Sequence, residues 1–326
     1  MSKSFRTEIN LALPSQQIHL KDKIFTLGSC FSDHIGQLLQ QYKFKAMVNP
    51  FGIIFNPVSA IHLMQQALMG EPLSKEKIVQ NQGMYYHYDL HSEITSAEKA
   101  SFEELIGEKL KTAGNFLKES KVLMLTMGTA FVYRLFENKE VVANCHKMPA
   151  RHFNKELLTP EQIILAFNEM HKLLPKDTCI ILTVSPVRHI KDTISLNTVS
   201  KSVLRLACHH LSEQHPNVHY FPAYEMLIDD LRDYRFYKAD MLHPNATAIN
   251  YVWEYFSQVF IDEASNDFIS KWDKIRKAIE HRPFNPATEE HKHFLVNTLD
   301  RLRDITEVDV NKEIKMLEDR LQLYSL

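Results

Sequence analysis

Short, nearly unbroken apolar runs, set apart by stretches of helical period, constrain this 326-residue chain more than any other feature. Ile24–Leu27, Val122–Met127, Cys179–Val184 and, less cleanly, Val218–Phe221 are rich in β-branched and large apolar residues. Strands that read this way are buried on both faces, as in a parallel sheet covered by helices. Ala46–Val48 is a further short candidate. Between the runs, Ile35, Leu38, Leu39 and Tyr42 repeat at helical spacing, as do Ile249, Val252, Trp253, Phe256, Val259 and Phe260. Further helices are expected near 58–69, 98–119, 160–174 and 197–214. The alternation predicts an α/β fold, a doubly wound and mostly parallel sheet flanked by helices. Functional residues then belong beyond the carboxyl ends of the strands. Phe131–Asn144 breaks the pattern and reads as a hairpin beside the sheet, turning at 137–140.

From about residue 262 the chain is strongly charged and helical, with a narrow apolar stripe at Ile314, Leu317 and Leu321. We therefore expect an α/β domain over 1–261 and a helical extension over 262–326, the latter packed on the main domain or on a second subunit. Lys and Arg total 38 against 40 Asp and Glu, a balance that gives no reason to expect nucleic acid or an anionic membrane as partner. The first 17 residues lack the apolar core of a secretory signal, so a cytoplasmic location is expected. Cys30, Cys145, Cys179 and Cys208 form no CxxC pair and read as reduced thiols. Seventeen histidines raise the question of a metal-dependent hydrolase, but HExxH and related spacings are absent, and His291 and His293 read as solvated. No metal and no organic cofactor is expected.

Three of the eight glycines, Gly28, Gly52 and Gly128, fall at the ends of strand-like runs or just after them. At the first, Gly28-Ser29-Cys30 runs straight into an amphipathic helix. A nucleophile on such a turn is held at the mouth of the sheet, where the helix N-terminus favours a thiolate or an oxyanion. The plain structural alternative is a serine N-cap, at Ser29 or Ser32, beside a small buried cysteine. Late in the chain, Asp240 and His243 stand three residues apart in Asp-Met-Leu-His-Pro-Asn, before the helix that begins near Ile249. A short loop can fold that carboxylate onto one imidazole nitrogen and leave the other for a nucleophile. Pro244 suits a first helical turn.

With these motifs, over roughly Phe25 to Phe260, the chain resembles the GSCFA family, Ser32 standing where the name-giving motif has alanine. That family is similar to a branch of the SGNH, or GDSL, hydrolase superfamily, whose fold is flavodoxin-like. The resemblance implies a nucleophile at the first turn and an Asp-His pair at Asp240 and His243. Aligned without gaps on Gly-Asp-Ser-Leu, the nucleophile is Cys30; superfamily precedent for serine points to Ser29. The resemblance also implies oxyanion donors. Gly52 matches the glycine of the second motif, and Thr129 stands where the third motif has asparagine, with Asn144 as the alternative. His146, Ser185, Arg188 and His189 are candidate substrate contacts on the same rim.

The function so implied is an acyl ester hydrolase or acyl (acetyl) transferase acting through a covalent acyl-enzyme, on a small-molecule or carbohydrate ester. A non-catalytic binding protein that keeps the fold is the competing expectation, supported by the missing asparagine after Gly128. A homo-oligomer through the C-terminal helices is also expected.

Overall fold

The computed structural model describes residues 7–285 and 288–322, which form two compact units that meet between Phe260 and Ile261 in the sequence. In the first unit, β1 (Lys23–Gly28) runs through a tight turn into α1 (Cys30–Gln41) and on to β2 (Lys45–Val48). After α2 (Pro57–Met69) come the short strands β3 (Ile78–Asn81) and β4 (Met84–His87) and the long α3 (Lys99–Lys118). β5 (Val122–Met127) leads to β6 (Phe131–Leu135), β7 (Val141–Val142) and β8 (Phe153–Leu157). Then follow α4 (Pro160–His171), β9 (Cys179–Val184), α5 (Thr193–Gln214) and β10 (Val218–Tyr220). A single turn, α6 (Ala223–Glu225), and α7 (Ala246–Phe260) end the unit.

The central sheet has the order β10-β9-β5-β1-β2, and each neighbouring pair is parallel. Counted by appearance within that sheet, this is the 2-1-3-4-5 order of flavodoxin-like doubly wound folds, with its switch point between the first and third strands. Here those strands are β1 and β5. The chain leaves β1 toward one edge and β5 toward the other, which opens a crevice between the two following loops.

Side-chain alternation explains why the strand runs look continuously apolar. Phe25 and Leu27, Leu123 and Leu125, and Ile180 and Leu182 enter one core with Leu63, Phe102, Phe167 and Leu204 of α2 to α5. The intervening Ile24, Met124 and Ile181 are buried as well. They belong to the opposite face, where α1 packs on β1 and β5 and stacks Tyr42 on Trp253 of α7. Caps set the helix starts: Asn56 accepts the Ser59 N–H at 2.8 Å, and Thr159 forms a capping box with Gln162.

The expected hairpin within Phe131–Asn144 is present as antiparallel β6 and β7, but it belongs to a three-stranded sheet, β7-β6-β8. The strand β8 reads Phe-Asn-Lys-Glu-Leu, too polar to stand out in the sequence. The β3–β4 hairpin was not anticipated either. Gln82 and Gly83 both take positive φ, 51° and 80°, as a two-residue I′ turn requires.

The second unit contains α8 (Glu263–Glu280), α9 (Glu289–Arg303) and α10 (Asn311–Gln322). Phe268, Trp272, Ile275 and Ile279 form the buried stripe of α8, and Leu295, Leu299 and Leu302 that of α9. On α10 only Leu317 of the expected stripe is fully buried. His293 is exposed as expected, whereas His291 is half-buried and stacks on Phe294. Among the described residues no helix is long and apolar enough to cross a membrane.

Candidate functional site

The turn after β1 is fixed from both sides. The Gly28 N–H donates to the Asn49 side-chain oxygen at 3.0 Å, and the Ser29 N–H donates to the Thr126 carbonyl at 3.1 Å. Ser29 is the N-cap of α1: its hydroxyl accepts the Phe31 N–H at 3.4 Å, and the residue is 1% exposed. Cys30 is the first residue of the helix and only half-buried. One of the two candidate nucleophiles is thus committed to structure and the other is accessible. The expectation of a stabilised thiolate is corrected, however. Burial pushes the Cys30 thiol above its ordinary pKa, outweighing its own N–H and Lys238, which favour the thiolate; Asp33 opposes it.

The second motif forms the compact loop its spacing predicts. One Asp240 oxygen accepts the backbone N–H groups of Leu242 and His243 at 2.8 and 3.0 Å. The other lies 2.7 Å from His243 Nδ1. These bonds hold the Asp240 carboxyl down to about pKa 2, so it is ionised at neutral pH and orients Nδ1 of His243 as the donor. Met241 takes the left-handed conformation at φ 59°, and the Lys238 N–H closes the loop on the His243 carbonyl at 2.7 Å. Pro244 does not enter the helix. It pairs with Tyr237 in an isolated bridge, and Asn245 caps α7 by accepting the Ala248 N–H at 3.1 Å. Burial lowers the pKa of His34, one helical turn beyond Cys30, and of His189 after β9, and His243 stands close enough to both rings to add to the effect.

Arg188 does not present itself to the crevice as a substrate clamp. Its guanidinium lies 4.1 Å from the Tyr237 ring and donates to the Met241 carbonyl at 3.2 Å; its N–H donates to the Leu242 carbonyl. It anchors the Asp-His loop instead. Ser185 is 0% exposed and bonds the Val187 N–H, so it offers nothing to a ligand. His146 is also interior, stacked on Tyr86, bonded to the His87 carbonyl and Ser92, and driven by burial to a pKa of about 4. The Gly52 N–H closes a turn on the Asn49 carbonyl at 2.8 Å, which removes it as an oxyanion donor.

Thr129, Asn144 and His189 do come together, lining a cavity of about 530 Å³ with Phe55 and Phe131. The Asn144 amide already donates to Ser92 and its oxygen accepts the His146 N–H. Thr129 accepts the Phe131 N–H at 3.1 Å and shares a hydrogen bond with Ser200, which itself accepts the Ala130 N–H. When Ser200 donates to Thr129, the Thr129 proton is left for a ligand. His189 has a buried Nε2 with no partner and is held neutral, its pKa lowered to about 4 by burial and then by Lys201 and His243. Among the described residues, no three His, Cys, Asp or Glu side chains gather as a metal site.

Two residues escaped the sequence reading. Asn49 supports the Gly28 turn, and only its place at the end of β2 hinted at it. Lys201 carries no such signal. It is 1% exposed, and its ammonium donates at 2.7 Å to both the Gly128 and the Ser185 carbonyls, at the ends of β5 and β9. Burial lowers its pKa from 10.5 to about 7. Between those values the unfolded chain holds a proton that the folded chain has lost, so stability rises with pH. From pH 7 to about 8.5 the gain is roughly 1.5–2 kcal/mol. Higher pH brings the opposite effect of Cys145 and Cys179, whose thiols burial raises to about 11. Urea unfolding at the two pH values should show this rise in the wild type and a flat response in Lys201→Met.

Two family descriptions match the chain: GSCFA family over residues 23–256, and GSCFA domain protein, C-terminal domain, over residues 272–323. Among curated proteins none matches. The first match spans well over half the chain, including the Gly28-Ser29-Cys30 turn and the Asp240–His243 loop. The chain belongs to the GSCFA family.

Proposed function

We propose that the chain is an acyl ester hydrolase or acyltransferase that works through a covalent acyl-enzyme, with Cys30 as nucleophile, His243 as base and Asp240 as its orienter. The observation that carries this reading is the Asp240–His243 pair, its imidazole tautomer fixed at 2.7 Å by a carboxylate that two backbone N–H groups hold still. Kinship with the SGNH or GDSL hydrolases, and an O-acylated carbohydrate as substrate, belong to the same proposal.

In the reaction, His243 Nε2 removes the thiol proton as the Cys30 sulfur adds to the ester carbonyl. The raised thiol pKa makes that transfer part of the attack, as for a serine, instead of a preformed thiolate. The carbonyl electrons move to oxygen, where the Cys30 N–H at the start of α1 and the Thr129 hydroxyl stabilise the charge. Collapse breaks the ester C–O bond, and the alkoxide takes the proton from His243. Water or an acceptor hydroxyl then attacks the thioester, with His243 again removing a proton and returning it to sulfur. Thr129→Val should lower kcat 10- to 100-fold, about 1.4–3 kcal/mol, with KM little changed. Steady-state kinetics that move KM alone would remove Thr129 from the reaction.

A second reading, a ligand-binding protein without chemistry, is favoured by the raised Cys30 pKa and the committed Gly52 N–H. A panel of short-chain nitrophenyl esters and thioesters, followed by turnover and by the mass of the protein, separates the two. The enzyme turns over at least one and gains the mass of an acyl group; the binding protein does neither.

A further inference from the structure

The cavity beside the proposed reacting centre is built from two kinds of wall. Phe131, Tyr133 and Phe153 give it an aromatic side, with Tyr133 and Phe153 edge to face at 6.4 Å. Lys147, Lys155 and Lys191 give it a cationic one, against a single carboxylate, Asp192. Lys155 spans the two: its ammonium sits 4.6 Å from the Phe131 ring centre and pairs with Asp192. The charge of Lys191 presses on both Lys155 and Cys145, so Lys191 stands near these two lining residues. Among the described residues neither Lys147 nor Lys191 has an ion-pair partner, although both line the cavity. The unpartnered Nε2 of His189 belongs to the same lining, its ring packed edge-on against Phe55 at 5.3 Å.

Like charges brought together around an apolar chamber repel one another unless an anion joins them. An aromatic wall crossed by a lysine takes the face of a ring or planar group. A volume of about 530 Å³ holds a small organic molecule and is far larger than a lone inorganic anion needs. We propose that this cavity binds a ring-bearing small molecule carrying a phosphate or carboxylate, its ring against Phe131 and Tyr133 and its anionic group between Lys147, Lys155 and Lys191. Where Cys30 and His243 are the acyl-transfer centre, this molecule is the non-reacting part of the substrate. That second statement rests on the proposed function; the binding itself does not.

Calorimetric titration of the full-length protein with 1-naphthyl phosphate, 1-naphthol and inorganic phosphate tests both features. Naphthyl phosphate should bind at least tenfold more tightly than either of the others, and added salt should weaken it. Lys147→Ala and Lys191→Ala alter exposed side chains, so they should keep the wild-type melting temperature while each raises Kd about fivefold or more. Lys191→Glu should raise it further, and Cys30→Ala should leave it unchanged. Equal binding of 1-naphthol removes the anion seat, and equal binding of inorganic phosphate removes the ring platform. An unchanged Kd in both alanine variants overturns the proposal as a whole. Selective naphthyl phosphate binding in a protein that turns over no ester supports the cavity and defeats the acyl-transfer reading. Ester turnover without that selectivity does the reverse.

Discussion

Cys30→Ala is expected to reduce ester turnover at least 10⁴-fold and to remove the acyl adduct from the protein's mass, because no other atom replaces the attacking sulfur. His243→Ala should cost a comparable factor with the melting temperature nearly unchanged, since that side chain is partly exposed and, among the described residues, bonds only within its own loop. Asp240→Asn should lose roughly 10⁴-fold, because an amide favours the wrong imidazole tautomer. Ser29→Ala is the informative contrast. Ser29 caps α1 and is almost wholly buried, so its loss should cost about 1 kcal/mol of stability and less than tenfold in rate. Free Cys30 should also alkylate slowly at neutral pH, its rate still climbing above pH 9, because burial raises the thiol pKa from 9.0. Peptide mapping after reaction with an ester decides the assignment. An acyl group on Ser29, with Cys30→Ala still active, would sink the cysteine; full activity in His243→Ala would end the Asp-His reading.

The part of this arrangement that could be read from sequence is the part fixed by local physics. The runs Val122–Met127 and Cys179–Val184 are strands because every side chain in them is buried, and no other element of that length needs such a run. Asp240 and His243 meet because three residues of turn bring them together without help from distant chain. What depended on distant partners was misread. Arg188 looked like a free cation on a strand-end loop, but the Tyr237 ring and the Met241 carbonyl occupy its guanidinium. His146 looked like a rim residue, but the β4 segment folds over it and supplies Tyr86 and the His87 carbonyl. Gly52 matched the glycine of the second motif, yet its N–H is spent on a turn that the sequence leaves undetermined. Lys201 lies on an otherwise ordinary helical period in α5, and nothing nearby in sequence reveals that two strand-end carbonyls converge on it. The Cys30 expectation failed in a different way. Its own N–H at the helix start does favour the thiolate, but burial, which sequence does not display, outweighs it.

The glycine that opens the family motif answers to geometry, and replacing it should have the largest effect on stability. Gly28 sits at φ +146°, where side chains are strained, and a methyl group there would lie 2.1 Å from the Thr126 carbonyl oxygen. That oxygen belongs to a central strand buried along its whole length, and it accepts the Ser29 N–H, so it cannot yield without breaking the β1–β5 ladder. Gly28→Ala should therefore cost more than about 4 kcal/mol, a loss reserved for strain and overpacking in the core. The chain should then unfold at markedly lower temperature or fail to accumulate. Asn49→Ala probes the same turn more gently, deleting the acceptor of the Gly28 N–H at a residue whose own φ of 42° suits asparagine better than alanine. A buried donor left without its partner costs about 1–3 kcal/mol, which most folded domains survive. In that variant the Gly28–Ser29 turn loses one of its two restraints, so turnover should fall at least tenfold in protein that still melts cooperatively. A Gly28→Ala protein with wild-type melting temperature and wild-type turnover would contradict the backbone geometry at the end of β1, and with it the placement of Cys30 at the start of α1.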